Sequence, residues 1–305
     1  GKTTLLEAIQ EGIYPHIPGD GRERVATLPG AVKLRSEDGR SVSGVDLRTF
    51  ITELPGGAST RHFETADASG STSLAAAILE SIEVGAQAIL LDEDSAATNL
   101  LVRDARMQAL VQREPITPLI DRVQALNRAR RISTLLVVGG CGDYLDVADT
   151  VILMDAYRAQ EVTQQAREVT QQLPSQRHRD DDEAILPSSG RYPTSTAFRA
   201  TLGRGGKLRS RGLNELSIGE EQVDLAAIEQ LVDPGQPRAI GAMLRWMARQ
   251  PTGESTVPEL VRAAVERAAE TGLHALDACP ELTAVRPFEL AAALNRMRGL
   301  RIETD

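Results

Sequence analysis

The sequence lacks any long apolar run: none approaches the roughly 20 residues that span a bilayer. No charged-then-apolar leader opens it either, which disfavours transmembrane and secretory readings. Cysteine is scarce. Cys141 and Cys279 form no CxxC pair, which suits a reducing cytosol and makes a disulfide framework a poor expectation. Lysine is scarcer still relative to arginine: of 34 basic residues only Lys2, Lys33 and Lys207 are lysines, so the place of each is worth asking about. What remains is ample for a packed protein. The chain has 305 residues, is 41% hydrophobic and carries a net charge of −9, enough for two cores and too apolar for global disorder. An isoelectric point of about 5.2 disfavours one large nucleic-acid-binding surface but permits a local basic patch.

Residues 1–155 alternate between helical and strand patterns in the manner of an α/β domain. Thr3 to Ile9 reads as a helix start. Ala31–Leu34 and Ser41–Val45 read as short strands around an Asp38-Gly39 hairpin turn. Leu74, Ile78 and Ile82 recur at helical spacing, and Gly85 fits the position just past that helix. Ala88–Leu91, Thr134–Val138 and Val151–Met154 are apolar runs of the kind a buried parallel sheet needs. Composition then shifts. Glu161–Gln172 holds a doubled EVTQQ, read as a polar surface helix in preference to a coiled coil. The charge block Gln176–Glu183 reads as a linker. Gly190–Gly212 carries Arg191, Arg199, Arg204, Lys207, Arg209 and Arg211 and no acid. Beyond it Leu225–Val232, Ala239–Ala248, Pro258–Ala269 and Pro287–Arg298 have helical periodicity, with Pro258 and Pro287 in first turns. The expected division is 1–160 as the α/β core, 161–189 as polar helix and linker, and 190–305 as a basic loop with a smaller α-helical domain.

Three motifs carry chemistry. The chain opens Gly1-Lys2-Thr3-Thr4, the back half of a phosphate-binding loop G-x-x-x-x-G-K-[ST] running into a helix. Backbone N–H groups at a helix start attract phosphate oxygens, the Lys2 ammonium can reach the β/γ-phosphates, and the Thr3 hydroxyl can ligate Mg²⁺. Alone the tripeptide is a weak signal. Ala88-Ile89-Leu90-Leu91-Asp92-Glu93 supplies the Walker B pattern: Asp92 for Mg²⁺, Glu93 as general base toward an attacking water. A merely solvated turn explains it less well, because Asp92, Glu93 and Asp94 would repel one another without a nearby cation. Upstream, Ser69, Gly70 and Ser71 in Ala68–Ser73 precede an amphipathic helix and form an anion cradle, or else an ordinary N-cap.

With these residues together, the chain resembles the soluble, non-transporter ATPases of the ABC class. The stretches that carry the resemblance include GKTTLLEAI, YPHIPGDGRE, VKLRSEDGRSV, ASGSTS, ILLDEDSAATN, EPITPLIDRV and LLVVGGCGDYLDVADTVILMD, over roughly residues 1–160. The resemblance implies a P-loop fold with a mainly parallel sheet, and ATP and Mg²⁺ as ligands. It further implies a cytoplasmic head-to-tail homodimer with two ATPs at its interface. Lys2, Thr3, Ser69, Gly70, Ser71, Asp92 and Glu93 take the roles given above, and Ser95–Asn99 takes the place of a D-loop. The chain begins inside its own phosphate loop, from which weak ATP binding by residues 1–305 alone is expected.

Two departures from the family pattern matter. The strand after Walker B runs into Gly139-Gly140-Cys141-Gly142-Asp143 without a switch histidine, leaving Asp143 as a weak candidate. No Q-loop glutamine lies between Gln10 and Gln87. Both favour slow or switch-like hydrolysis. Two other readings stay open. A self-contained P-loop kinase or GTPase would explain Lys2 and Asp92 but leave the Ser-Gly-Ser cradle unused. An ATP-gated clamp on RNA or single-stranded DNA would use Arg199, Arg204, Lys207, Arg209 and Arg211, unless that segment pairs with the protein's own acidic surface.

Overall fold

The computed structural model describes residues 1–180, 190–194, 202, 207–250 and 255–305. Its N-terminal part is built on a parallel sheet of three strands, ordered β1 (Ala31–Lys33), β4 (Ala88–Asp92) and β5 (Ser133–Val137). Alternation along β4 divides the packing. Ile89 and Leu91 point into a large core with Leu74 and Ile78 of α2 (Gly70–Glu83) and Leu126 of α5 (Val123–Arg130). Ala88 and Leu90 face the other way, under Leu6 of α1 (Lys2–Glu11). Both faces of β4 are therefore buried, which is why its sequence is apolar throughout.

The outer edge of β1 is closed from the C-terminal part of the chain. The carboxamide of Gln230, 2% exposed, accepts from Lys33 N (2.9 Å) and donates to the carbonyls of Ala31 (3.4 Å) and Gln10 (3.0 Å). Arg286 joins it, donating to the carbonyls of Pro29 (2.8 Å) and Ala31 (2.9 Å), so two side chains take the place of a neighbouring strand. Beside them the buried Lys33 ammonium pairs with Glu229 at 3.1 Å, so the second lysine has a structural task.

Several expectations are corrected. Asp38-Gly39 does turn the chain, with Gly39 at φ +79°, but β1 and β2 (Arg40–Val45) do not form a hairpin. β1 pairs in parallel with β4, and β2 pairs antiparallel with β3 (Phe63–Ala68). The apolar run Val151–Met154 does not join the parallel sheet. It becomes β6 (Ile152–Asp155), paired with β7 (Arg158–Glu161) across a tight turn at Ala156 and Tyr157, both with positive φ. Ile152 and Leu153 are about half exposed there. The EVTQQ segment supplies the end of β7 and α6 (Thr163–Gln172), a surface helix with only Ala166 buried. In the charge block that follows, Arg177 is docked on the core, its guanidinium paired with a buried Asp121. Burial raises the Asp121 carboxyl pKa and Arg177 opposes the rise.

The C-terminal part is mixed rather than purely helical. β9 (Leu208–Arg211), β10 (Glu215–Ile218) and β11 (Glu221–Asp224) form an antiparallel meander, and β8 (Arg191–Pro193) pairs with β12 (Ile302–Thr304). Leu225–Val232 is a run of tight turns. Ile228 N bonds Leu225 O and Leu231 N bonds Ile228 O, so three-residue spacing buries these side chains without an α-helix. The remaining helices form as expected: α7 (Gly235–Met247), α8 (Val257–Thr271) with a Thr256/Glu259 capping box, and α9 (Pro287–Asn295). Among the described residues no helix is long and apolar enough to cross a membrane.

Gly241 lets α7 lie directly on the meander. A Cβ there would sit 2.2 Å from Leu208 Cδ1 and 2.8 Å from Leu216 Cδ1. Gly241→Val is expected to cost about 1–3 kcal/mol of stability by overpacking, read as a lower urea midpoint at unchanged slope.

Candidate nucleotide site

α1 begins at Lys2 with Gly1 at its N-cap, and residues 1–4 are open to solvent. A glycine at the N-cap, with no side chain capping the turn, leaves the first N–H groups of α1 open, the local chemistry that favours an anion. The Thr3 hydroxyl donates to Asp92 Oδ2 at 3.0 Å. That bond joins two residues 89 positions apart, a threonine in the first turn of α1 and the acid ending the buried strand β4. Asp92 is 4% exposed, and its other oxygen accepts from Asp94 N at 3.1 Å, so the carboxylate is fixed in direction. Among the described residues no group of three or more His, Cys, Asp or Glu could hold a metal on its own. A hydroxyl and a carboxylate side by side instead fit Mg²⁺, which takes few protein oxygens and completes its shell with phosphate and water.

Glu93 follows at the start of a short turn, Glu93–Ser95. Its Oε2 accepts from Gly139 N (2.5 Å) and Gly140 N (3.0 Å), just beyond β5. A Cβ on Gly139 would lie 3.8 Å from Glu93 Oε2 and 3.9 Å from Lys2 Nζ, so Lys2, Glu93 and this backbone meet around one point. No side-chain pattern reveals these partners, because the groups are backbone N–H; the Gly139-Gly140 pair is the one signal the sequence offers. Asp143, the weak candidate for that position, has its Oδ1 taken by the Ser175 hydroxyl at 2.6 Å. The neighbouring Cys141 thiol has a raised pKa, chiefly from burial and then from Asp143, so it stays protonated at neutral pH.

The Ser-Gly-Ser segment makes no direct hydrogen bond to this cluster among the described residues. Ser69 is the N-cap of α2, yet its hydroxyl meets those of Ser71 (3.3 Å) and Thr72 (3.1 Å), and no side chain caps the first turn. A Cβ on Gly70 would lie 3.3 Å from Asp38 Oδ1 and 3.4 Å from Ser36 Cβ. Ser36 in turn accepts from Ala97 N (2.7 Å) and donates from its own N to Ser95 O (3.0 Å), linking the cradle to the segment after the Walker B acids. Lys2, Thr3, Asp92 and Glu93 are thus gathered at one place, and among the described residues none of them is hydrogen-bonded to Ser69, Gly70 or Ser71. Thr4 is exposed on α1 and bonds to none of these residues.

Of the basic residues, Arg199 and Arg204 lie outside the described residues. Lys207, Arg209 and Arg211 alternate with buried Leu208 along β9 and its entry, so all three lie on one exposed face. Among the described residues none of the three has an ion-pair partner.

A family profile described as the MRB1590 C-terminal domain matches residues 207–303. A relative named uncharacterized protein MJ1628, from Methanocaldococcus jannaschii, is 41% identical over 103 residues. That stretch is 33% of this chain and 23% of the relative, so it spans less than a quarter of that protein. The profile of the ABC_ATPase P-loop domain matches residues 1–191, which include the Thr3–Asp92 pair, Glu93, its glycine partners and the cradle. That match covers more than half of the sequence, and the chain belongs to the ABC ATPase P-loop family.

Proposed function

We propose that the protein hydrolyses MgATP slowly, at two sites shared between the subunits of a head-to-tail homodimer. The observation that carries this reading is the Thr3–Asp92 hydrogen bond with Glu93 and Lys2 beside it. Thr3 and Asp92 would hold Mg²⁺, which when bound supplies charge neutralisation across the β- and γ-phosphates. Lys2 offers its ammonium to the same phosphates. Glu93 is the acid placed to take a proton from an attacking water. The Gly139 and Gly140 amides orient the Glu93 carboxylate and occupy one of its oxygens, a reason for turnover to be slow. Ser69–Ser71 make no hydrogen bond to Lys2, Thr3, Asp92 or Glu93 among the described residues, which favours a cradle that serves another subunit's phosphate over a self-contained kinase-type site. The test is an ATP-dependent dimer of the full-length Glu93→Gln protein, absent without nucleotide.

A second reading rests on Lys207, Arg209 and Arg211, three cations on one face of β9. In this reading ATP-driven pairing presents that face to RNA or single-stranded DNA. Replacing all three by Ala should flatten the salt dependence of oligonucleotide binding by about two log units per log unit of salt, at about 0.7 for each phosphate no longer neutralised. An unchanged slope would remove the face from consideration.

A further inference from the structure

The C-terminal module reaches the phosphate cradle through two arginines at the end of α9. Arg296 caps that helix, with its side chain 8% exposed. Its Nε donates to one Glu37 oxygen (3.1 Å) and its Nη2 to the other, a bidentate grip of the strong, direction-setting kind. The Glu37 backbone N–H then donates to Ser73 Oγ at 2.9 Å. Ser73, fully buried, donates onward to the Gly70 carbonyl at 2.9 Å, the first residue of α2. Two residues further on, Arg298 donates to Ala66 O (2.8 Å) and Gly39 O (3.1 Å), fixing the chain on either side of the cradle's approach. The backbone N–H of Arg298 donates to Glu221 at the start of β11, so the same elbow is bolted to the meander.

The segment gripped by the elbow has a second attachment. Ser36, one residue before Glu37, holds the Ser95–Ala97 loop through the bonds described above. One short stretch, Ser36–Gly39, therefore connects the C-terminal module, the cradle and the loop after the Walker B acids. A cleft of about 500 Å³ is lined by this stretch together with Arg296 and Arg298, while Phe288 of the same helix packs on the N-terminal core.

We infer that Arg296, assisted by Arg298, is the positioning residue that sets the Ser69–Ser71 cradle, coupling the C-terminal module to ATP-dependent pairing of subunits. The inference rests on the shared-site reading above. It separates two quantities that a purely structural arginine would not separate. Binding of MgATP at Lys2 and Thr3 does not use the subunit's own cradle, whereas dimerisation does.

The experiment uses the full-length Glu93→Gln protein, with MgATP affinity measured at concentrations where it is monomeric and dimerisation measured by sedimentation. Adding Arg296→Met should leave MgATP affinity unchanged within about twofold while weakening ATP-dependent dimerisation by about tenfold or more. Arg296→Lys, which keeps the charge but loses the bidentate geometry, should recover part of that loss. Should Arg296→Met fail to fold, the solvent-exposed Arg298→Ala is the second variant, expected to show the same split at smaller size. Equal dimerisation in the parent and in these variants overturns the inference. So does a parallel fall in MgATP affinity. A parent Glu93→Gln protein that never dimerises with ATP instead overturns the shared-site reading itself.

Discussion

Glu93→Gln in the full-length protein is expected to lower ATP turnover by about 10²–10⁴-fold, the usual contribution of a positioned general base. The same change should convert a transient ATP-bound dimer into a stable one. The reasoning is local. A glutamine side chain has the same shape and keeps one oxygen that can accept from both the Gly139 and Gly140 amides, so the grip beyond β5 survives. Thr3 and Asp92 are untouched, so the proposed Mg²⁺ and nucleotide contacts should be kept. What is lost, on the proposed mechanism, is the group that takes the proton from water. The checks are phosphate release, which should collapse, and sedimentation with MgATP, which should show a dimer that outlasts nucleotide dilution. Loss of turnover with no dimer would leave Glu93 as a base but remove the sandwich.

Much of this site is legible in the sequence because its chemistry is written in contiguous stretches. GKTT, the apolar strand into Asp92-Glu93, and Ser69-Gly70-Ser71 before an amphipathic helix each need specific residue types in order, and each lies at the helix start or strand end expected of it. What is not legible has physical causes. The grip on Glu93 is made by the backbone of Gly139 and Gly140, so no switch side chain marks it. The meander β9–β10–β11 hides because its four-residue strands are too short for a period-2 pattern to stand out, and β11 puts a charge, Glu221, at a buried position and the uncharged Gln222 at an exposed one. Leu225, Ile228 and Leu231 imitate a helix since successive tight turns also repeat every three residues. The Arg296–Glu37 pair spans 259 positions, a distance over which no local pattern carries information.

The three lysines divide along the same line. Lys33 is buried against Glu229 beneath the Gln230 carboxamide and stabilises the contact between the two parts of the chain. Lys207 stands on the exposed basic face. Lys2 alone meets the cluster around Glu93, where a compact ammonium suits a phosphate.

Mixing two inactive variants of the full-length protein tests the shared site most directly. Lys2→Ala removes the phosphate-binding ammonium and Ser71→Arg blocks the cradle, so each homodimer has two defective sites. In a mixed dimer with two-fold geometry, one site combines both defects and the other combines an intact Lys2 with an intact cradle. Equal mixing then restores roughly a quarter of the wild-type sites, half of the dimers carrying one good site in two. Single-turnover hydrolysis should rise to about that fraction. A mixture no more active than its two components would show that each nucleotide site is complete within one chain and would contradict the account.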